Sequence, residues 1–197
     1  SWIPNTFRRL FSEGTFNAAF VPSYSSVLDN KKKSQKFANN IFTLLTIGLF
    51  FLVLVIEVMM PIFVFLIAPG FEGDYQKMEL AITLTRITFP FLLFISLASF
   101  FSAILNSHNK FAVASAAPII LNILLIGVLL FGKILNDQLV YYLSYAVTIS
   151  GILQLIFLYF FVKKYFSPEI NCPFKIVNKF KFFSKNYFLV FFLLVLL

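Results

Sequence analysis

Two adjacent arginines and a glutamate near the start of the sequence are the residues whose types and spacing suggest chemistry. Arg8 and Arg9 lie in an amphipathic stretch, and Glu13 follows Arg9 by one helical turn. A guanidinium group carries a planar fork of hydrogen-bond donors that matches phosphate oxygens. Because neighbouring helical residues point about 100° apart, we expect Arg8 to face a wet cavity while Arg9 pairs with Glu13. The alternative is that both arginines reach a headgroup layer or join two helices.

The composition indicates that lipid is the solvent around most of this chain. Of its 197 residues, 60% are hydrophobic and only 12% are charged, and the mean hydropathy is +0.90. A soluble domain usually has about a quarter of its residues charged. The net charge of +8 comes from basic residues that punctuate apolar runs, so we expect no nucleic-acid partner. The single cysteine, Cys172, excludes an internal disulfide and any cysteine cluster for zinc.

The apolar runs are long enough to cross a bilayer. A helix needs about twenty residues to span the hydrocarbon, where backbone groups must bond within their own segment. We therefore predict an all-α, polytopic membrane protein with about five membrane helices and the start of another. The predicted helices cover about residues 3–27, 41–68, 82–105, 111–131 and 139–162, and a further helix starts in 185–197. Because the sequence begins without Met and stops inside an apolar run, we expect it to be a piece of a larger protein.

The distribution of lysine predicts how these helices are oriented. If the loop before the 41–68 helix is cytoplasmic, eleven basic residues of the connections lie inside the cell and two lie outside, as the positive-inside rule favours. The inside residues are Lys31, Lys32, Lys33, Lys36, Lys110, Lys163, Lys164, Lys175, Lys179, Lys181 and Lys185, and the outside residues are Lys77 and Lys133.

We expect three other polar residues to have structural roles. We expect Glu57 to lie near the outer face of the membrane, because an unpaired carboxylate at mid-depth is costly. Arg86 is expected to extend toward water at the outer end of its helix. His108, which has no metal-ligand partner nearby in the sequence, is expected to be a solvated loop residue, so we predict no metal site.

Several motifs resemble those of a known family. Residues 4–22 read PNTFRRLFSEGTFNAAFVP, which is similar to the PN-x-x-RR-x-F-x-EG-x-F…AFVP signature of the MurJ (MviN) lipid II flippases. Further stretches match the same family in the same order, so the resemblance runs over most of the chain. They are APGF at 68–71, ITFP at 87–90, ISLAS at 95–99, AILN at 103–106, AP at 117–118 with LN at 121–122, and AVT at 146–148 with Gly151 and LQ at 153–154.

The resemblance implies a fold, a cargo and roles for residues. The chain would form the second to sixth helices, and the start of the seventh, in the N-terminal lobe of a two-lobe transporter of the multidrug/oligosaccharidyl-lipid/polysaccharide exporter superfamily. Such a protein moves the lipid-linked peptidoglycan precursor (lipid II), on its undecaprenyl diphosphate carrier, to the outer leaflet of the bacterial cytoplasmic (inner) membrane by alternating access. Arg8 and Arg9 match the substrate-binding arginines of the family, and Glu13 matches a glutamate near the cytoplasmic gate. Its partners are this precursor and membrane lipids, and no cofactor or catalytic residue is implied.

Other functions remain open on the residues alone. A related exporter could carry drugs or other lipid-linked glycans, and a non-transporting membrane remnant would need no cargo. A membrane enzyme acting on polyprenyl diphosphates would need a clustered acid, base or nucleophile. The only His and the only Cys lie in separate connections, and no two carboxylates share a helical face within a span. We therefore expect no enzymatic activity.

Overall fold

The computed structural model describes residues 15–68, 75–135 and 138–170, with side chains for 20–68, 75–132 and 138–170. In these ranges every regular element is a helix, which confirms the all-α fold class. The helices are α1 (Thr15–Ser25), α2 (Lys31–Val58), α3 (Met60–Ile67), α4 (Tyr75–Thr88), α5 (Phe91–Ser107), α6 (Phe111–Leu135) and α7 (Leu139–Val162).

Four helical segments of the described residues are long and apolar enough to cross a membrane. They are Lys31–Val58, Tyr75–Ser107, Phe111–Gly132 and Leu139–Val162. Most side chains of these segments are not buried inside the bundle, and large apolar residues such as Phe51 and Leu130 are strongly exposed. A soluble protein would expose such a continuous apolar surface to water at high cost. The chain is therefore part of a multi-pass membrane protein.

Two predicted helices are interrupted by proline. The helix predicted over 41–68 begins earlier, at Lys31, and breaks at Met59, two residues before Pro61. The helix predicted over 82–105 begins at Tyr75 and breaks at Phe89 and Pro90. Proline has no backbone N–H and crowds the preceding turn, so each break falls where one helical hydrogen bond cannot form.

Aromatic side chains hold the lysine-rich end of the bundle together. Phe20 of α1 packs edge-on against Phe100 of α5, with ring centroids 5.2 Å apart. Phe42 of α2 stacks on Phe101 of α5 at 5.8 Å, and Phe166, just after α7, meets Phe100 at 5.8 Å. Because one contiguous cluster draws rings from α1, α2, α5 and the segment after α7, it fixes these parts of the bundle relative to one another.

The chain after α7 runs back along α2. Gln35, Asn39 and Thr43 lie one turn apart on α2, on the face that meets this segment. Gln35 Nε2 donates to the carbonyl of Ser167 at 2.5 Å, and Asn39 Oδ1 accepts from the backbone N–H of Glu169 at 2.9 Å. Thr43 Oγ1 donates to the carbonyl of Glu169 at 3.4 Å. These bonds satisfy backbone groups that the extended segment cannot pair with itself.

Candidate functional site

The predicted cavity residues precede the first described helix. Arg8, Arg9 and Glu13 lie outside the described residues, which begin at Thr15. The part of α1 that follows them is firmly placed, because Phe20 and Tyr24, one turn apart, are 4% and 1% exposed. Phe20 contacts Phe37 of α2 and Phe100 of α5. The C-terminal half of α1 is thus anchored against these two helices.

An ion pair joins α2 to α4. Arg86 Nε lies 3.6 Å from Glu57 Oε2, and the two side chains are 52% and 24% exposed, respectively. The other carboxylate oxygen, Glu57 Oε1, is buried and has no hydrogen-bond partner among the described residues. Arg86 therefore provides the counter-charge that the carboxylate needs at this position.

The ion pair lies at the end of the bundle opposite the lysine-rich loops. A helix rises about 30 Å over the twenty residues from Phe37 to Glu57, which equals the thickness of the hydrocarbon core. The rise from Arg86 to Ser107 is about the same. Glu57 accordingly lies near the membrane boundary opposite the lysine-rich end, and Arg86, which was expected to extend toward water, is paired with it. The partnership was missed from the sequence because 28 residues and two helix breaks separate the two charges.

Helices α3, α4 and α7 meet at the break before α5. Pro90 cannot donate to the carbonyl one turn earlier, so the backbone near Ile87 needs other partners. Thr148 Oγ1 of α7 donates to the carbonyl of Ile87 at 2.5 Å. The ring of Phe63 in α3 packs edge-on against Phe89 at 5.6 Å. The break is therefore a packed joint between helices.

His108 is not the solvated loop residue expected from the sequence. Its ring stacks on Tyr165 with centroids 4.3 Å apart and meets Tyr24 edge-on at 6.1 Å. Its Nε2 is buried without a hydrogen-bond partner among the described residues. Burial lowers the pKa of His108 below its usual value, because the charged ring would lose hydration. The tertiary fold brings these rings together from α1, the end of α5 and the segment after α7.

The geometry of the described ranges provides charged and polar groups at both ends of an apolar helix bundle. Within these ranges, no three His, Cys, Asp or Glu side chains lie close enough together to hold a metal ion. The Glu57–Arg86 pair lies at one end of the bundle. At the other end, the rings of Tyr24, His108 and Tyr165 line a pocket together with two lysines. Polar groups at both ends of an apolar bundle are what helices that cross a membrane require.

Comparison with known families decides the assignment. The family model described as "Lipid II flippase MurJ" matches residues 2–195, nearly the whole chain. The chain belongs to the lipid II flippase MurJ family. The MurJ match includes Arg8, Arg9 and Glu13 in sequence, and it covers every described helix.

Curated MurJ relatives from several bacteria align with this chain. It is 39% identical over 164 residues to a probable lipid II flippase MurJ of Rickettsia prowazekii, covering 82% of this chain and 32% of that protein. It is 39% identical over 166 residues to a probable lipid II flippase MurJ of Rhizobium tropici, covering 81% and 31%. The lipid II flippase MurJ of Burkholderia cenocepacia is 35% identical over 154 residues, covering 77% and 30%. The chain thus spans about a third of the length of the MurJ relatives that it matches.

Proposed function

We propose that the full-length protein containing this chain is a flippase for the lipid-linked peptidoglycan precursor, lipid II. It moves the precursor from the inner to the outer leaflet of the bacterial cytoplasmic membrane for cell-wall synthesis. The observation that carries the proposal is the match of the MurJ family model to residues 2–195, together with relatives whose names state this activity. The protein acts as a transporter and makes or breaks no covalent bond.

The physical problem for such a transporter is the polar head of its cargo. An anionic diphosphate and a sugar-peptide head are costly to place in hydrocarbon, whereas the polyprenyl tail is not. A cationic, water-filled cavity that opens sideways to the bilayer lets the head cross in water while the tail stays in lipid. Two helical lobes that rock against each other expose this cavity to each side in turn.

Three residues of this chain have roles in the proposed cycle. Arg8 binds the diphosphate through its guanidinium fork, and Arg9 adds positive charge and pairs with Glu13. Glu13 belongs to the cytoplasmic gate, where a carboxylate can bind basic groups when the cavity closes on that side. Each elementary charge moved across the membrane changes the free energy by about 2.3 kcal/mol per 100 mV, so the membrane potential can bias the cycle.

The role of Arg8 is tested by complementation. In a bacterial strain depleted of its own lipid II flippase, the full-length protein is expected to restore growth, and the Arg8→Ala variant is expected to fail at normal protein levels. The failure follows because alanine cannot replace a charge-assisted bond to the diphosphate. Growth is measured after depletion, and membrane protein levels by immunoblot.

A matched control variant distinguishes the loss of diphosphate binding from a general loss of positive charge. Lys32→Ala removes one positive charge from an exposed residue in the first turn of α2 and is expected to leave growth intact. Growth of the Arg8→Ala strain would contradict the role of Arg8. Failure of the unmodified full-length protein to restore growth would instead favour an exporter of another cargo, or a membrane remnant.

A further inference from the structure

A pocket of about 270 Å³ lies at the lysine-rich end of the bundle. We call it the cytoplasmic pocket. It is formed where the end of α1, the start of α2, the residue after α5 and the segment after α7 converge. The residues that matter for its chemistry are Tyr24, Lys31, Ser34, His108, Lys164 and Tyr165.

The charge of the cytoplasmic pocket favours an anion. Lys31 begins α2 and Lys164 follows α7, so two ammonium groups from distant parts of the chain border one space. Asp29 is the one acidic residue in the lining, which leaves a net positive charge. An ammonium group has three donors and no acceptor, and it binds phosphate as a compact point charge.

The floor and walls of the pocket are preformed. Tyr24 and Ser34 are buried, and Ser34 Oγ donates to the backbone carbonyl of Lys31 at 3.1 Å. His108 stacks on Tyr165 and meets Tyr24 edge-on. A ligand would therefore meet packed rings and a fixed hydroxyl group, so little ordering of these groups is needed on binding.

One polar atom of the lining lacks a partner. His108 Nε2 is buried without a hydrogen bond among the described residues, and such an atom is costly to leave unpaired. Because His108 lines the pocket, a ligand with several oxygen acceptors bound there offers it a partner. Phosphate has such oxygens, whereas a simple halide ion does not.

The level of the pocket points to the source of the phosphate. The cytoplasmic pocket lies beside Lys31 and Lys164, which belong to the lysine groups that the positive-inside rule places at the inner surface. Phosphates of the inner leaflet lie at this level. Basic pockets between membrane helices on the cytoplasmic side are suited to anionic headgroups.

We propose that the cytoplasmic pocket binds the phosphate of an anionic phospholipid of the inner leaflet. The bound headgroup bridges Lys31 of α2 and Lys164 after α7, and it rests against the stacked rings of His108 and Tyr165. It thereby ties together the cytoplasmic ends of α1, α2, α5 and α7. The proposal does not depend on which cargo the full-length protein carries.

The test measures lipid binding to the full chain purified in detergent, by native mass spectrometry. Phosphatidylglycerol is the anionic probe and phosphatidylcholine is the zwitterionic comparison. We expect phosphatidylglycerol to bind in preference, and the double variant Lys31→Ala/Lys164→Ala to bind it roughly tenfold more weakly, because both ammonium partners are lost.

The control variant is Lys32→Ala/Lys163→Ala. It removes the same net charge from the neighbouring lysines, which do not line the pocket, and it is expected to retain wild-type binding. Thermal unfolding of both double variants checks that each is folded. Equal loss of binding in the two variants would show a general surface charge effect and overturn the proposal.

Inorganic phosphate tests whether the pocket binds the phosphate of a lipid headgroup or a free phosphate ion. We expect millimolar phosphate alone to leave lipid binding and the unfolding temperature unchanged, because it lacks the acyl chains that hold a headgroup at this level. If phosphate displaces phosphatidylglycerol and stabilises the protein as strongly, the pocket is a site for soluble anions and the lipid proposal is wrong.

Discussion

At the scale of single residues, His108 shows how burial changes the behaviour of a side chain. The imidazole lies between Tyr165 and Tyr24, where the neutral ring stacks well and the charged ring loses hydration. Burial therefore lowers the pKa of His108 in the folded protein. The charged residues that line the same pocket as His108 are Lys31, Lys164 and Asp29.

The lowered pKa predicts a fall in stability on acidification. Above the ordinary pKa of histidine, about 6.5, both folded and unfolded states are neutral and the contribution is fully present. As the pH falls below that value, the unfolded state takes up the proton first, so stability is lost progressively down to the folded pKa. The measurement is the unfolding temperature in detergent between pH 7.5 and pH 5, for the wild type and His108→Phe.

Phenylalanine at this position keeps a ring for stacking but cannot take up a proton. We therefore expect the wild type to lose more stability than His108→Phe as the pH falls, although other groups titrate equally in both. Parallel curves for the two proteins would contradict this account of His108.

At the scale of elements, α5 and α7 approach each other closely at Gly151. A Cβ atom at this glycine would lie 2.7 Å from Phe91 Cδ2 and 3.1 Å from Phe94 Cβ, both on α5. The first distance is too short for two carbon atoms. Helices α4, α5 and α6 all pack against α7. A change in the distance between α7 and its neighbours therefore affects most of the described bundle.

Gly151→Ala is expected to destabilise the bundle. Over-packing a well-packed site costs about 1–3 kcal/mol, which exceeds the small gain in helix propensity from alanine. The matched control is Gly48→Ala in α2, because a Cβ atom there meets nothing within 4 Å. Thermal unfolding in detergent should give a lower unfolding temperature for Gly151→Ala than for the wild type, and an unchanged or slightly higher one for Gly48→Ala. Equal unfolding temperatures for the two variants would show that α5 and α7 can separate without cost.

At the scale of the whole molecule, the lysine-rich loops and the Glu57–Arg86 pair lie at opposite ends of the bundle. The positive-inside rule places the lysine end in the cytoplasm. Tyr75, at the start of α4, is strongly exposed at the other end, and Lys110 is exposed in the short connection between α5 and α6. These two positions report the orientation of the full chain.

Cysteine labelling tests this orientation. In a full-length protein freed of other cysteines, including Cys172→Ser, Tyr75→Cys is expected to react with a membrane-impermeant maleimide in intact spheroplasts. Lys110→Cys is expected to react only after the spheroplasts are lysed. The difference arises because the reagent cannot cross the bilayer. Labelling of Lys110→Cys in intact spheroplasts would reverse the predicted topology.

The all-α, membrane-spanning fold class followed directly from the sequence. Runs of about twenty apolar residues must be helical in lipid, because no water is present to satisfy the backbone there. The family also followed from the sequence, since the motif at residues 4–22 is local and needs no tertiary information. The proline breaks at Pro61 and Pro90 were visible as residues, but whether each ends a helix depends on the helices that satisfy the freed backbone groups, as Thr148 does for Ile87.

Only the tertiary structure brought distant residues together. Glu57 and Arg86 are far apart in sequence, and Lys31, His108 and Lys164 come from three separate parts of the chain. An apolar pattern indicates that a segment enters lipid. It does not indicate which face of the helix meets another helix, because lipid solvates every face almost equally. Which faces meet is therefore decided by side-chain packing and by polar partners, and these exist only once the helices have assembled.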